Sequence, residues 1–297
     1  MKFLVTGSEG LVGRQVVQDL LQSYTDVYSC YHNSKPESGI ATPLDLASQE
    51  SIIKTVESIK PDVIIHLAAM TNVDLCETEK DMALKINARS TAVLSEQAKK
   101  HGTFLVYVST DYVFDGKTGM KKESDKTDPI DYYGQSKLEG EKAVQEIATK
   151  WCIARTSTPY GIHPKKKSFP LFIAENLQAK IPLDIITDQY TSPTYVPNLG
   201  RMLIEISSKK IQGIIHVSGA SRISRYDMAE MVAEKLHLDK KLLRPTNMDG
   251  MNWKAKRPKD SSLDVSKAAS LLKEKPMTVQ QGLDLFMEEI KSGNSNY

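Results

Sequence analysis

The chain has 297 residues, enough to bury a large core in one domain or two lobes, and its 40% apolar and 26% charged content is that of a folded, water-soluble protein. A formal net charge of +2 argues against nucleic acid as the main partner. The longest apolar stretch, VIIHLAAM, is interrupted by His66 and falls far short of the ~20 residues of a membrane span, so no membrane partner is expected.

KFLVTG (Lys2 to Gly7) predicts a buried strand, followed by a helix with Val12, Val16, Val17, Leu20 and Leu21 on one face. DVYSCY, PDVIIHLAA and TFLVYVST predict further strands, with a helical stretch carrying Met82, Ile86 and Val93 before the last of them. A helix follows in YYGQSKLEGEKAV, and then a strand, WCIARTS. Strands alternating with helices predict an α/β fold with a doubly wound parallel sheet. Past Pro159 come a helix near 169–178, a strand in LDIITD, a helix near 196–206 and GIIHVSG, read as a late return to the main sheet. From Ser224 onward the pattern predicts mostly helix, ending in a disordered tail, SGNSNY. The expected division is a dinucleotide-binding domain over 1–158, rejoined by about 190–220, and a substrate-binding lobe from about 159–189 and 221–297. Cys30, Cys76 and Cys152 lack metal-ligand spacing and read as buried thiols. With an N-terminus that runs straight into MKFLVTG, they suggest a cytoplasmic protein.

TGSEGLVG places Gly7, Gly10 and Gly13 between the first strand and first helix. Glycines there permit a tight turn and close approach of backbone to a pyrophosphate, while the helix N-terminus offers free N–H groups. The end of the second strand, CYHNSKPE, has His32, Asn33, Ser34 and Lys35 where an acid would bind the ribose of NAD; Glu37 comes later and is read as beyond reach. This favours NADPH, with NADH as the alternative. Asp45 and Leu46 either border the adenine or, for Asp45, cap the helix of ASQESI.

Ser109, Thr110 and Asp111 end the strand TFLVYVST, on the side of an open parallel sheet where ligands bind. Tyr133 and Lys137 stand one helical turn apart and project from one face. A neighbouring ammonium is expected to lower the pKa of the Tyr133 phenol. With the glycine turn, these residues predict carbonyl reduction: Thr110 bonds the carbonyl oxygen, Tyr133 gives the proton, the dinucleotide gives the hydride and Lys137 holds its ribose.

TGSEGLVG, HLAAMTNVDLCE, STDYVFDG, YGQSKLEGE, RTS, DQYTSPT and RPKDSSLD, in this order, resemble the extended short-chain dehydrogenase/reductases, and within them the dTDP-4-dehydrorhamnose reductase family. The resemblance implies a Rossmann-type sheet with a smaller C-terminal substrate-binding lobe. It also implies NADPH-dependent reduction of the 4-keto group of a nucleotide-linked deoxy sugar, dTDP-4-dehydrorhamnose to dTDP-L-rhamnose in the family. It makes Thr110, Tyr133 and Lys137 the catalytic trio. It lines the cofactor with Gly10, Leu11, Val12, Asp45, Leu46, Ala68, Ala69, Met70 and Thr71, and sets Val73, Thr110, Asp111 and Tyr112 at the sugar. Arg257 is a diphosphate candidate, and Lys165, Lys166 and Lys167 either join it or form a solvated loop. Mg²⁺ has been associated with the family, but no carboxylate cluster in this sequence has ligand spacing, so no metal site is assigned; a homodimer is expected by the same resemblance. One departure stands out: Thr158 and Pro159 follow RTS where the family carries a Trp, which leaves the sugar open. A 4,6-dehydratase would need an acid pair after Thr110, whereas Asp111 precedes Tyr112. An epimerase–reductase would need a further acid or base. The chain also resembles the non-catalytic, NADP-binding regulatory β subunit of methionine adenosyltransferase.

Overall fold

Seven short runs of β-branched and apolar residues pair in parallel to form the central sheet of the computed structural model, which describes residues 1–292. They are β1 (Phe3–Thr6), β2 (Val27–Tyr31), β3 (Ile40–Pro43), β4 (Val63–His66), β5 (Phe104–Thr110), β6 (Trp151–Thr156) and, outside β6, the strand Gly213–His216. The spatial order is Gly213–His216, β6, β5, β4, β1, β2, β3, so the chain reverses its winding between β1 and β4. Ligands bind at such a switch point, beyond the carboxyl ends of the strands. The Rossmann-type parallel sheet is thus as expected.

Both faces of the sheet are covered, which is why β1, β4 and β5 read as continuous apolar runs rather than alternating ones. On one face, helix α1 (Leu11–Leu20) and the helix Val196–Lys209 bury Val16, Val17, Leu20, Leu199, Met202 and Leu203 against Val5, Ile65 and Val106. On the other, helices Gln49–Ile59, Ser90–His101 and Tyr132–Ile147 bury Ile52, Val56, Leu94 and Val144 against Leu4, Ile64 and Leu105. Each such fully buried aliphatic side chain contributes about 1.5–3 kcal/mol. A second core, around Tyr160, Ile173, Val232, Leu283 and Phe286, joins helices Phe169–Gln178, Arg225–Lys235 and Val279–Lys291.

Two departures from expectation stand out, an extra edge strand and a less helical C-terminal region. Strand β3 escapes the sequence pattern because it is a partly exposed edge strand ending in Pro43, a residue tolerated at sheet edges. The helical stretch around Met82 to Val93 is as expected, one run over 80–101 that widens into a π-helical turn at Lys85–Arg89 and follows a separate short helix, Val73–Thr78. The region after Ser224 is less helical than predicted, since Leu243–Thr246 pairs in parallel with Leu183–Ile186 and 251–265 run without a helix. Most of the tail expected to be disordered, 293–297, lies outside the described residues.

Cys30, Cys76 and Cys152 are free and buried, and burial pushes the thiols of Cys30 and Cys152 up to about 12 and that of Cys76 to about 11. Among the described residues, no helix is long and apolar enough to cross a membrane.

Candidate active site

The β1–α1 turn is built by its glycines. Gly7 has a φ of +68°, and a Cβ there would lie 2.8 Å from the Ala68 amide nitrogen; a Cβ on Gly13 would collide with the Gly7 carbonyl oxygen. Gly10 caps α1 without a side chain, so the first-turn N–H groups of Leu11 and Val12 meet no capping side chain. A close-packed turn with open amides fits the pyrophosphate of a dinucleotide. Ala68, Ala69, Met70 and Thr71 follow β4 beside this turn. Thr6 Oγ1 accepts from the Leu67 and Ala68 amides at 3.1 Å, and Asn87 Oδ1 accepts from the Met70 amide at 2.8 Å. Asn87 is a residue that motif reading missed. It sits in the π-helical turn, and its Nδ2 also donates to Ser136 Oγ on the catalytic helix at 2.9 Å, joining the two halves of the site. The only sequence signal was an Asn inside a helical pattern, which is too common to identify it.

At the adenosine end, His32 and Asn33 are exposed after β2, and His32 Nδ1 lies 3.9 Å from Asp45 Oδ1. Leu46 is half-buried beside it. The cap of the following helix is Ser48, not Asp45, whose Oδ1 instead accepts from the Ala47 amide at 2.8 Å. Glu37, read as beyond reach of the ribose, has its carboxylate 2.7 Å from Arg14 on α1.

The catalytic helix Tyr132–Ile147 starts at Asp131, whose Oδ1 accepts from the Gly134 amide at 2.8 Å. Gly134 lets this helix approach the Asp111–Val113 turn, since a Cβ would collide with the Tyr112 carbonyl oxygen. Tyr133 therefore packs edge-on to Tyr112, with ring centroids 5.9 Å apart. Lys137 is 2% exposed, donates to the Val108 carbonyl at 2.8 Å and lies 4.0 Å from the centroid of the Tyr107 ring. Burial brings its amine down to about 7, opposed by Glu141, which is itself paired with Arg155 at 2.7 Å.

The Tyr133 phenol departs from expectation: its pKa is raised, not lowered. Burial is the largest cause, only partly opposed by the adjacent Thr110 hydroxyl, and Lys137 exerts no resolved pull. The ammonium expected to stabilise a phenolate is partly discharged and engaged with Val108 and Tyr107 instead.

Thr110 closes β5, accepts from the Tyr112 amide at 3.2 Å and donates to Asp111 Oδ1 at 3.0 Å. Asp111 is buried, and its other oxygen accepts from Ser157 Oγ at 2.8 Å; burial raises its carboxyl pKa. Asp111 thus braces Thr110 from behind. Ser157 Oγ lies 3.3 Å from Thr158 Oγ1, and Thr158 holds a φ of +38°. A β-branched residue is strained there. Thr158→Gly is expected to raise unfolding stability by about 0.5–1 kcal/mol after Gly's own entropy loss, read as a shift in denaturation midpoint.

Thr158 lines a cavity of about 320 Å³ with Leu11, Phe169, Thr191, Arg225 and Met228. Arg225, also missed, sits half-buried over the Phe169 ring at 5.2 Å and donates to Gln189 Oε1 at 3.1 Å. Burial lowers its pKa, opposed by Tyr112 and Asp111. As one Arg on an amphipathic helix, it carried no motif. Arg257 is pinned to Asp74, next to Val73, at 3.1 Å and packs on Trp253 at 5.2 Å. Lys166 and Lys167 reach the cavity rim, whereas Lys165 does not line it.

The chain as a whole is similar to known proteins. The chain matches the RmlD substrate binding domain family over residues 1–292. It is 32% identical over 295 residues to dTDP-4-dehydrorhamnose reductase from Aggregatibacter actinomycetemcomitans, covering 95% of this chain and 97% of that protein. It is 30% identical to methionine adenosyltransferase 2 subunit beta from Rattus norvegicus, over 91% of this chain and 82% of that one. The crystal structure of dTDP-4-dehydrorhamnose reductase from Bacillus anthracis in complex with NADP superposes with a TM-score of 0.88 at 30% identity, covering 97% and 100% of the two chains. With glycine turn, Thr110, Tyr133, Lys137 and the second core set in one chain over this full length, the protein belongs to the RmlD substrate binding domain family of the extended short-chain dehydrogenase/reductases.

Proposed function

We propose that the protein reduces the 4-keto group of a nucleotide-linked 6-deoxy sugar, dTDP-4-dehydrorhamnose first among them, with NADPH as cofactor. The observation that carries this reading is the Thr110 hydroxyl beside the Tyr133 phenol, with Lys137 on the carbonyl of the same strand, at the carboxyl ends of the parallel sheet from which the glycine turn also leaves. Bound NADPH supplies the hydride. The chain's own residues do the rest. The Thr110 hydroxyl lies beside Tyr133 and donates to Asp111; turning that one proton from Asp111 to the substrate lets it bond the carbonyl oxygen. Tyr133 stays protonated at neutral pH because burial disfavours its phenolate, so it carries the proton that the new alkoxide needs. Lys137, near neutral pKa, shares its proton with the site once the phenol has given its own. Asp111 is a positioning residue. Arg225 and Arg257 are the cations suited to a diphosphate, and the second core is the substrate-binding lobe. Free, buried thiols support a reducing, cytoplasmic location.

A second reading, a regulatory subunit without turnover, has in its favour the 30% identity to methionine adenosyltransferase 2 subunit beta. One experiment separates the two. Purified protein is expected to oxidise NADPH when given a dTDP-4-keto-6-deoxy sugar and not when given the corresponding dTDP-hexose. Failure across a panel of nucleotide-linked keto sugars, with stable capture of a methionine adenosyltransferase catalytic subunit, reverses the ranking.

A further inference from the structure

A string of hydroxyls stands behind Thr110 and Tyr133 and runs out to the cavity. The chain leaves β6 at Ser157 and Thr158, and three bonds from 192–194 fix that turn. The Ser192 amide donates to Ser157 Oγ at 3.2 Å, the Thr194 amide to the Thr158 carbonyl at 3.2 Å and Thr194 Oγ1 to the Ser157 carbonyl at 2.7 Å. These bonds hold Thr158 at its φ of +38° against the strain of a β-branched side chain there. Half-buried, Thr158 keeps its hydroxyl 3.3 Å from Ser157 Oγ and also lines the 320 Å³ cavity.

A hydroxyl has one proton to give. Ser157 gives its own to Asp111 Oδ2 at 2.8 Å, so in the contact with Thr158 the threonine is the donor. Thr110 gives its proton to Asp111 Oδ1 at 3.0 Å and lies beside the Tyr133 phenol. The order is therefore Thr158, Ser157, Asp111, Thr110, Tyr133, with the middle three buried and the outer end on the cavity. Reduction consumes the Tyr133 proton, and the phenol has to regain one before the next cycle. Lys137 is an internal source, but it is itself buried, with Nζ on the Val108 carbonyl.

We propose that Thr158, Ser157 and Asp111 relay protons from the cavity to Thr110 and Tyr133 and so refill the phenol after each reduction, a route that rests on the reductase reading above and adds to it where the proton enters. An acid in the cavity, hydronium or a protonated buffer, gives a proton to Thr158 Oγ1. The Thr158 proton passes to Ser157 Oγ, and that of Ser157 to Asp111 Oδ2. A half-turn of the carboxyl brings this proton to the Thr110 side. Thr110 then gives its own proton to the phenolate and takes the one from Asp111. Each transfer breaks one O–H bond and forms another, and at the end Thr110 again donates to a carboxylate, as in the structure. Burial favours the protonated carboxyl that this passage requires.

Stopped-flow oxidation of NADPH by the full chain with a dTDP-4-keto-6-deoxy sugar tests the relay through Thr158→Val, which removes the hydroxyl and keeps the shape. The first turnover should stay within about twofold of the wild type, because Tyr133 starts with its proton, whereas kcat should fall about tenfold. With kcat/KM unchanged, KM should fall alongside kcat. The effect of D₂O on kcat should grow, and imidazole added at fixed pH should restore part of the rate. Thr158→Ser should behave as the wild type. Ser157→Ala should lower kcat as Thr158→Val does, and the double variant no further. An unchanged kcat in Thr158→Val, a first turnover slowed as much as kcat, or a serine variant as slow as the valine one overturns the relay and leaves the reductase reading intact. A wild type that oxidises no NADPH with any nucleotide-linked keto sugar removes that reading, and the relay with it.

Discussion

Tyr133→Phe is expected to lower kcat for NADPH oxidation with a keto sugar by about 10²–10⁴, the usual worth of a positioned general acid. The change removes one oxygen and leaves the ring against Tyr112, so the helix, its Asp131 cap and the approach through Gly134 are undisturbed. Dinucleotide affinity should therefore stay within about twofold of the wild type, because the glycine turn and the amides of Leu11 and Val12 are untouched. Steady-state rates and cofactor titration on the same preparation separate these effects. Turnover in Tyr133→Phe equal to the wild type would remove the phenol as proton donor. A matching loss of cofactor affinity would instead mark the hydroxyl as a binding group.

Lys137→Met should abolish most turnover and yet make the protein harder to unfold. Burial disfavours the ammonium and brings its pKa from 10.5 to about 7. Between those values the unfolded chain carries a proton on Lys137 that the folded chain largely lacks. The unfolded state thus binds more protons, and wild-type stability rises with pH across this window. At pH 7 and below, the wild type bears the full cost of this group, roughly 3–5 kcal/mol from the shift alone. Methionine fills nearly the same space and keeps a sulfur–aromatic contact with Tyr107, but it loses the bond to the Val108 carbonyl. The net gain should be about 1–3 kcal/mol, or several degrees in midpoint, the trade expected where a buried charge serves chemistry rather than folding. The gap between variant and wild type should close as pH is raised from 7 to 10. A variant less stable than the wild type at pH 7, or a gap that widens with pH, would refute the assignment of a discharged lysine.

Much of this site was legible because its parts are local. A glycine turn between strand and helix, a hydroxyl ending a strand, and Tyr and Lys one turn apart each depend on backbone periods that a sequence displays directly. Each is a common pattern alone, and their order along one chain is what points to a reductase. Arg225 and Asn87 had no such signature: a lone Arg on an amphipathic helix and a lone Asn in a helical run acquire roles only from what the fold sets beside them.

What the amino-acid order determined by itself was the parallel sheet, through apolar runs alternating with amphipathic helices, and the presence of a turn able to hold a dinucleotide. Only the tertiary structure decided the electrostatics. Spacing predicts that Lys137 lowers the Tyr133 phenol, but packing buries both groups and turns the amine toward Val108 and Tyr107, so desolvation outweighs the charge expected from adjacency. Nor does spacing show that the loop after β2 folds back to set the Glu37 carboxylate on Arg14. Sequence distance governs which residues share a helix face or a turn; burial and partners, which set a pKa, are properties of the whole fold.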